Sequence, residues 1–174
     1  MRNRGAVIAA GVALLVALSG CTTPAPEPTP TPAFTSEEEA FAAAEETYRA
    51  YVDALNQVDL SDPETFEPVF ALTTGEANAN ERKSLSQMHA DGWNVAGATD
   101  VTRFFGESYK DGIVEAVICS DVSDVKVTDA SGQSKVSTDR PDVYALRVSF
   151  TPGSTPNGLA VAGSTAIKDG RCAP

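Results

Sequence analysis

Histidine occurs once in this chain, at His89, and cysteine three times, at Cys21, Cys119 and Cys172. Any Ser-His or Cys-His nucleophilic system would have to draw on that one imidazole, and no serine sits in a G-x-S-x-G turn. There is no Gly-rich phosphate loop, no zinc-spaced Cys/His set and no C-x-x-C. No metal or cofactor is therefore expected. An apolar run of the ~20 residues that a membrane-spanning helix needs is missing too. Basic residues are scarce: 13 Lys and Arg stand against 24 Asp and Glu, a net charge of -11. Nucleic acid and anionic lipid both repel such a chain, so neither is an expected partner surface.

What is present begins with Arg2 and Arg4, followed by an uncharged run from Ala6 to Leu18 rich in Ala, Val and Leu. A basic start and a short apolar stretch make a secretory signal, with the arginines held inside. Leu18-Ser19-Gly20-Cys21 then resembles the lipobox of bacterial lipoproteins. That resemblance implies a signal peptide over residues 1–20 and a mature chain starting at Cys21, its sulfur carrying a diacylglyceryl group with acyl chains such as palmitate. Each buried methylene contributes about 0.8 kcal/mol, so one acyl chain holds only marginally while two or more anchor stably. The implied address is the outer face of the cell membrane, with the lipid on Cys21 as the membrane contact. Removal of Arg2 and Arg4 leaves 11 basic against 24 acidic residues, a formal charge of -13.

Residues 21–34 form a linker in which Pro24, Pro26, Pro28, Pro30 and Pro32 alternate with other residues. Proline restrains itself and its predecessor to extended backbone, so Thr22 to Ala33 reads as a stiff spacer. Its twelve residues reach on the order of 37 Å. No two prolines stand three apart, so the stretch is not a P-x-x-P ligand.

Residues 35–174 are long enough for one packed domain. Thr35-Ser36-Glu37-Glu38 reads as a capping box with Thr35 as N-cap. A long helix follows, with Phe41, Ala44, Tyr48, Tyr51, Val52, Leu55 and Val58 on one face and Glu39, Glu46, Asp53 and Gln57 opposite. Asp62-Pro63 starts a short second helix toward Leu72. Thr74 caps a polar third helix through about Asp91, where Gly92 is a left-handed stop; its thin apolar face comprises Ala77, Leu85 and Met88.

From Trp93 onward the period changes to two. Val101, Arg103 and Phe105 alternate with Thr102 and Phe104, and Val114, Ala116, Ile118 and Val122 with Glu115, Val117, Cys119 and Asp121. Asp111-Gly112 between those strands is a preferred hairpin pair. Tyr144 to Phe150 and Leu159 to Ile167 supply two further strands. The expected class is α+β: three N-terminal helices packed on a bent antiparallel sheet of about four strands. Cys119 and Cys172, an even pair in an exported domain, read as a disulfide.

This order of elements resembles the cone-shaped nuclear transport factor two-like, or cystatin-like, superfamily, and actinobacterial (Gram-positive) lipoproteins with such a domain behind a Pro-rich tether. The resemblance implies that the disulfide joins neighbouring parts of the sheet and clamps the C-terminus. It does not select a function, because the superfamily holds cyclases, isomerases, dehydratases and binders.

Among candidate residues, Tyr48, Tyr51, Trp93, Arg103 and Phe105 could line an open cone as an aromatic ligand pocket, or simply fill a core. Asp121 is the general base that a cyclase- or isomerase-type enzyme would use. His89 reads as an exposed cation at a helix C-terminus. Ser123-Asp124-Val125-Lys126 matches S-x-x-K, but in a strand-and-turn context that parts the serine from the lysine. Asp121, Asp124 and Asp129 lack the loop pattern of a calcium site, and Arg147 with Glu115 reads as a surface ion pair on facing strands. With no complete catalytic set, the leading reading is a non-catalytic binding or accessory module for a protein or small-molecule partner. A homodimer through a sheet face carrying Val143, Ala145 and Arg147 is a further expectation.

Overall fold

The first helix, α1 (Glu37–Asn56), starts one residue later than the capping box over Thr35 requires. Ser36 is the N-cap, its hydroxyl accepting from the Glu39 amide at 3.1 Å. The Glu39 carboxylate accepts from the backbone and hydroxyl of Thr35 at 2.9 and 2.8 Å. Three successive glutamates allow either frame, and the frame adopted puts all three acids in the first turn, where the helix dipole favours them. The computed structural model describes residues 34–173. The expected signal peptide, Leu18 to Cys21 and the linker through Ala33 lie outside the described residues.

A 3-10 turn, Pro63–Phe66, is capped by Asp62 and runs into α2 (Glu67–Ala71), with Pro68 in its first turn. The helix α3 (Gly75–Ala90) ends at Gly92, whose φ of 65° is the left-handed stop that its sequence predicts. The strands are β1 (Asn94–Ala96), β2 (Asp100–Lys110), β3 (Ile113–Asp121), β4 (Lys126–Thr128), β5 (Val143–Pro152) and β6 (Leu159–Ile167). The main sheet is antiparallel in the order β2-β3-β5-β6, and β1 pairs with β4 as a separate ribbon that the alternation did not reveal. Asp111 and Gly112, with φ of 53° and 81°, form the tight turn between β2 and β3.

One sheet face packs on α1: Val114, Ala116, Ile118, Val148, Phe150 and Val161 close on Ala40, Ala44, Tyr48 and Val52. A second core, Ala54, Leu60, Phe66, Val69, Phe70 and Leu85, lies among the helices. Backbone bonds join the two layers, Thr74 N–H to Val161 O at 2.8 Å and Val161 N–H to Leu72 O at 3.0 Å. In β2 a register shift between Val101 and Arg103 breaks the expected alternation. Val101 joins the helix-side core with Phe104, while Phe105 joins a cluster on the opposite face, because a bulge adds a residue and reverses the parity beyond it.

That opposite, outer face is half covered. Val117, Cys119, Ala145, Phe105, Val143 and Ile167 pack with Cys172, which is bonded to Cys119 with the two Cα atoms 5.2 Å apart. Arg171 bonds Asp169 at 2.7 Å and Glu107 at 2.6 Å and stacks over Phe105 at 4.7 Å, and Arg103 donates to the Arg171 carbonyl. At the patch expected around Val143 and Ala145 the chain's own C-terminal turn, Gly170–Cys172, packs against both, burying Ala145 and leaving Val143 half-buried.

Candidate functional site: the filled cone and its rims

Of the five residues expected to line one pocket, Tyr48 and Tyr51 lie together with their rings 5.6 Å apart, while Trp93 and the pair Arg103 and Phe105 lie elsewhere. Tyr48 is buried in the helix-side core, its ring 6.3 Å from that of Phe150. Tyr51 bridges the two cores. Trp93 lies at the edge of the helical core with Lys135 over its ring at 5.1 Å. Arg103 and Phe105 belong to the outer face with Arg171. The cone interior between them is packed with side chains: Phe150, Ile118, Val114 and Val148 are fully buried.

Asp121, the expected base, ends β3 in contact with solvent. Its carboxylate accepts from the Ser123 amide at 2.9 Å, and that bond holds its pKa below the usual carboxylate range, the wrong direction for a base. The group with the useful direction is Glu81. It is half-buried on α3, its carboxylate accepts from the Tyr51 hydroxyl at 2.6 Å, and burial raises its pKa. Burial, together with the nearby Glu81 charge, pushes the hydroxyls of Tyr48 and Tyr51 up as well. Both tyrosines therefore stay protonated, and Tyr51 serves as donor to a carboxyl that can give up or take a proton. The sequence carries the signal for this pair: Glu81 is four residues after Ala77 and four before Leu85, on the very stripe read as apolar.

Other candidates are held by local bonds. His89 is exposed near the end of α3, with Nδ1 2.6 Å from the Leu60 carbonyl, which can only accept. Asp129 accepts from the amides of Ser131 and Gln133 within its own turn. Among the described residues no group of three or more His, Cys, Asp or Glu is placed to hold a metal ion.

Among the open grooves of the described residues, two lie at the rims of the cone. A crevice of about 180 Å³ lies between the ends of α1 and α3 and the β1–β4 ribbon, lined by Leu55, Val58, Leu85, Met88 and Val95 among others. A polar groove of about 300 Å³ crosses the uncovered half of the outer sheet face, between Glu76 and Asn80 of α3 and Glu115, Arg147, Ser149 and Thr165 of the sheet. The expected ion pair between Arg147 and Glu115 is not formed among the described residues. The register sets the two diagonally rather than face to face: Arg147 faces Val117, and Glu115 faces Ser149 two residues further along.

Three helices packed against a bent antiparallel sheet define a cone-like α+β domain, the fold class of the nuclear transport factor two-like proteins. The intermembrane space region of the chloroplast protein ARC6 superposes with a TM-score of 0.50 at 13% identity, covering 74% of this chain and 97% of that one. A protein from Catenulispora acidiphila gives 0.50 at 15% identity, covering 78% and 95%. VirB8 of Agrobacterium tumefaciens gives 0.44 at 13% identity, covering 80% and 97%. At these identities the likeness is one of fold alone. No protein-family model and no curated protein sequence matches the chain.

Proposed function

We propose that this chain is a lipoprotein anchored through Cys21 to the outer face of the cell membrane, its cone-like domain acting as a non-catalytic binding or accessory module. The observation that carries the reading is Leu18-Ser19-Gly20-Cys21, placed behind a basic and apolar start and ahead of a proline-rich spacer. The packed interior supports the non-catalytic half, since a buried reaction site needs a cavity and Phe150 and its neighbours fill that space. Binding then falls to the rims and the surface.

Fractionation of cells expressing the Cys21→Ser variant tests the anchor. The parent stays with the membrane through a salt wash, while the variant loses that attachment; equal retention of both removes the anchor. Mass spectrometry of the mature amino terminus gives an independent reading, with acyl mass on Cys21 as the expected result.

A second reading, a cyclase- or isomerase-type enzyme, rests on Glu81 in place of Asp121, because Glu81 has the raised pKa and the tyrosine partner that acid-base work uses. Glu81→Gln separates the two readings. Retrieval of a partner by the variant as well as by the parent supports the binding module.

A further inference from the structure

The other half of the outer sheet face is built from polar groups and, among the described residues, carries no covering element. Arg147 is exposed on β5, and among the described residues its guanidinium has neither a hydrogen-bond acceptor nor an ion-pair partner. It senses Asp169, but that carboxylate is already taken by Arg171 at 2.7 Å. Beside Arg147 the floor is kept low by Gly163. A Cβ there would stand 3.1 Å from the Ser149 hydroxyl, tighter than ordinary packing, so the glycine leaves that hydroxyl accessible. The carboxylates of Glu76 and Glu115 stand on the groove's rim, with the hydroxyls of Ser149 and Thr165 between.

We infer that this groove binds a small zwitterion, an α-amino acid or a short peptide with both ends free. A guanidinium with unused donors fits a carboxylate in a two-pronged hydrogen bond. The carboxylates of Glu115 on β3 and Glu76 on α3, on opposite sides of the groove, each offer a place for an ammonium group, and the hydroxyls between them fit amide groups. The same charge arrangement rejects the simpler classes. A phosphate or other dianion would meet the field of Glu76 and Glu115, and a bare cation would meet Arg147. At about 300 Å³ the space is at the small end of ligand sites. The inference deepens the binding-module reading and rests on it, but it does not depend on the lipid anchor.

Equilibrium dialysis of isotope-labelled L-alanyl-L-alanine against the full chain in detergent tests the site. Saturable binding of the free dipeptide is expected, weakened about tenfold or more by acetylation of its amino end or amidation of its carboxyl end. Arg147→Gln and Gly163→Ala should each abolish it while leaving the thermal midpoint of the protein within a degree or two, about the size of most surface changes. Absence of saturable binding into the millimolar range, or equal binding by Arg147→Gln, overturns the inference. So does the case in which the whole lipoprotein retrieves an envelope partner yet takes up no dipeptide, and that case leaves the binding-module reading standing.

Discussion

Between Ala77 and Leu85 the inward stripe of α3 admits Glu81, and its burial sets a definite sign on stability. The folded-state pKa lies above the ordinary 4.5, so in the window just above 4.5 the native state holds a proton that the unfolded chain releases. The contribution of Glu81 is therefore most favourable below 4.5 and is lost as pH rises through the raised value. Glu81→Gln keeps an oxygen for the Tyr51 hydroxyl and deletes the charge. Its expected effect is a thermal midpoint at pH 7 to 8 no lower than that of the parent, with a flatter decline from pH 5 upward; a steeper decline would contradict the burial argument. Gly97 makes a second prediction at this scale. Its φ is 84°, and a Cβ would fall 2.0 Å from the Asp124 carbonyl, a fixed backbone atom. Gly97→Ala should lose about 3 kcal/mol in a denaturant titration, from the left-handed backbone and the overlap together.

The C-terminal turn is the element whose attachment is most open to test. Cys119 and Cys172 are separated by 53 residues, and closing such a loop stabilises the native state by about 4 kcal/mol on the chain-entropy account. Replacing both with alanine should lower the melting midpoint on the order of 15 °C. A midpoint that hardly moves would mean that the Arg171 bonds to Asp169 and Glu107 hold the turn unaided. Elements were legible in the sequence where one periodicity ran unbroken: the α1 stripe from Ala44 to Val52, the Asp111-Gly112 turn, and the alternation in β5. They were not legible where a single residue changed the parity or the frame. The bulge after Val101 sent Arg103 and Phe105 to the face away from Tyr48, so the aromatic pocket drawn from them could not assemble. The capping box read over Thr35 is displaced by one residue, because Glu39 serves Ser36 as well as Glu38 would serve Thr35. Arg147 and Glu115 read as paired because each alternates onto the outer face, and only the register of β3 with β5 shows them offset by two residues. A carboxylate on an apolar stripe, as at Glu81, reads as an interruption, whereas the Tyr51 hydroxyl from α1 makes it a half-buried, bonded group.

Charge gives the molecule as a whole its own asymmetry. Residues 34–73, which include α1 and α2, carry ten acidic residues and one basic, Arg49. Self-repulsion across that layer opposes folding and is screened by salt. The pH dependence adds two groups of opposite sign. Asp59, Asp121, Asp129 and Asp139 are held below 3.8 by bonds within their own turns, and Asp169 is lowered to about 2, chiefly by its hydrogen bonds from Arg171. Their stabilisation is present above 3.8 and lost as pH falls through the lowered values, while that of Glu81 runs the other way from 4.5 upward. Between the two lies a maximum of their summed contributions, around pH 3.8 to 4.5, where the aspartates are ionised and the loss from Glu81 has not yet set in. Raising salt from about 0.01 M to about 1 M shortens the screening length from roughly 30 Å to 3 Å. With chloride, the melting midpoint at pH 7 should then rise by a few degrees. A fall would mean that the surface ion pairs Arg49–Glu45 and Arg171–Glu107 outweigh the repulsion of the acidic layer.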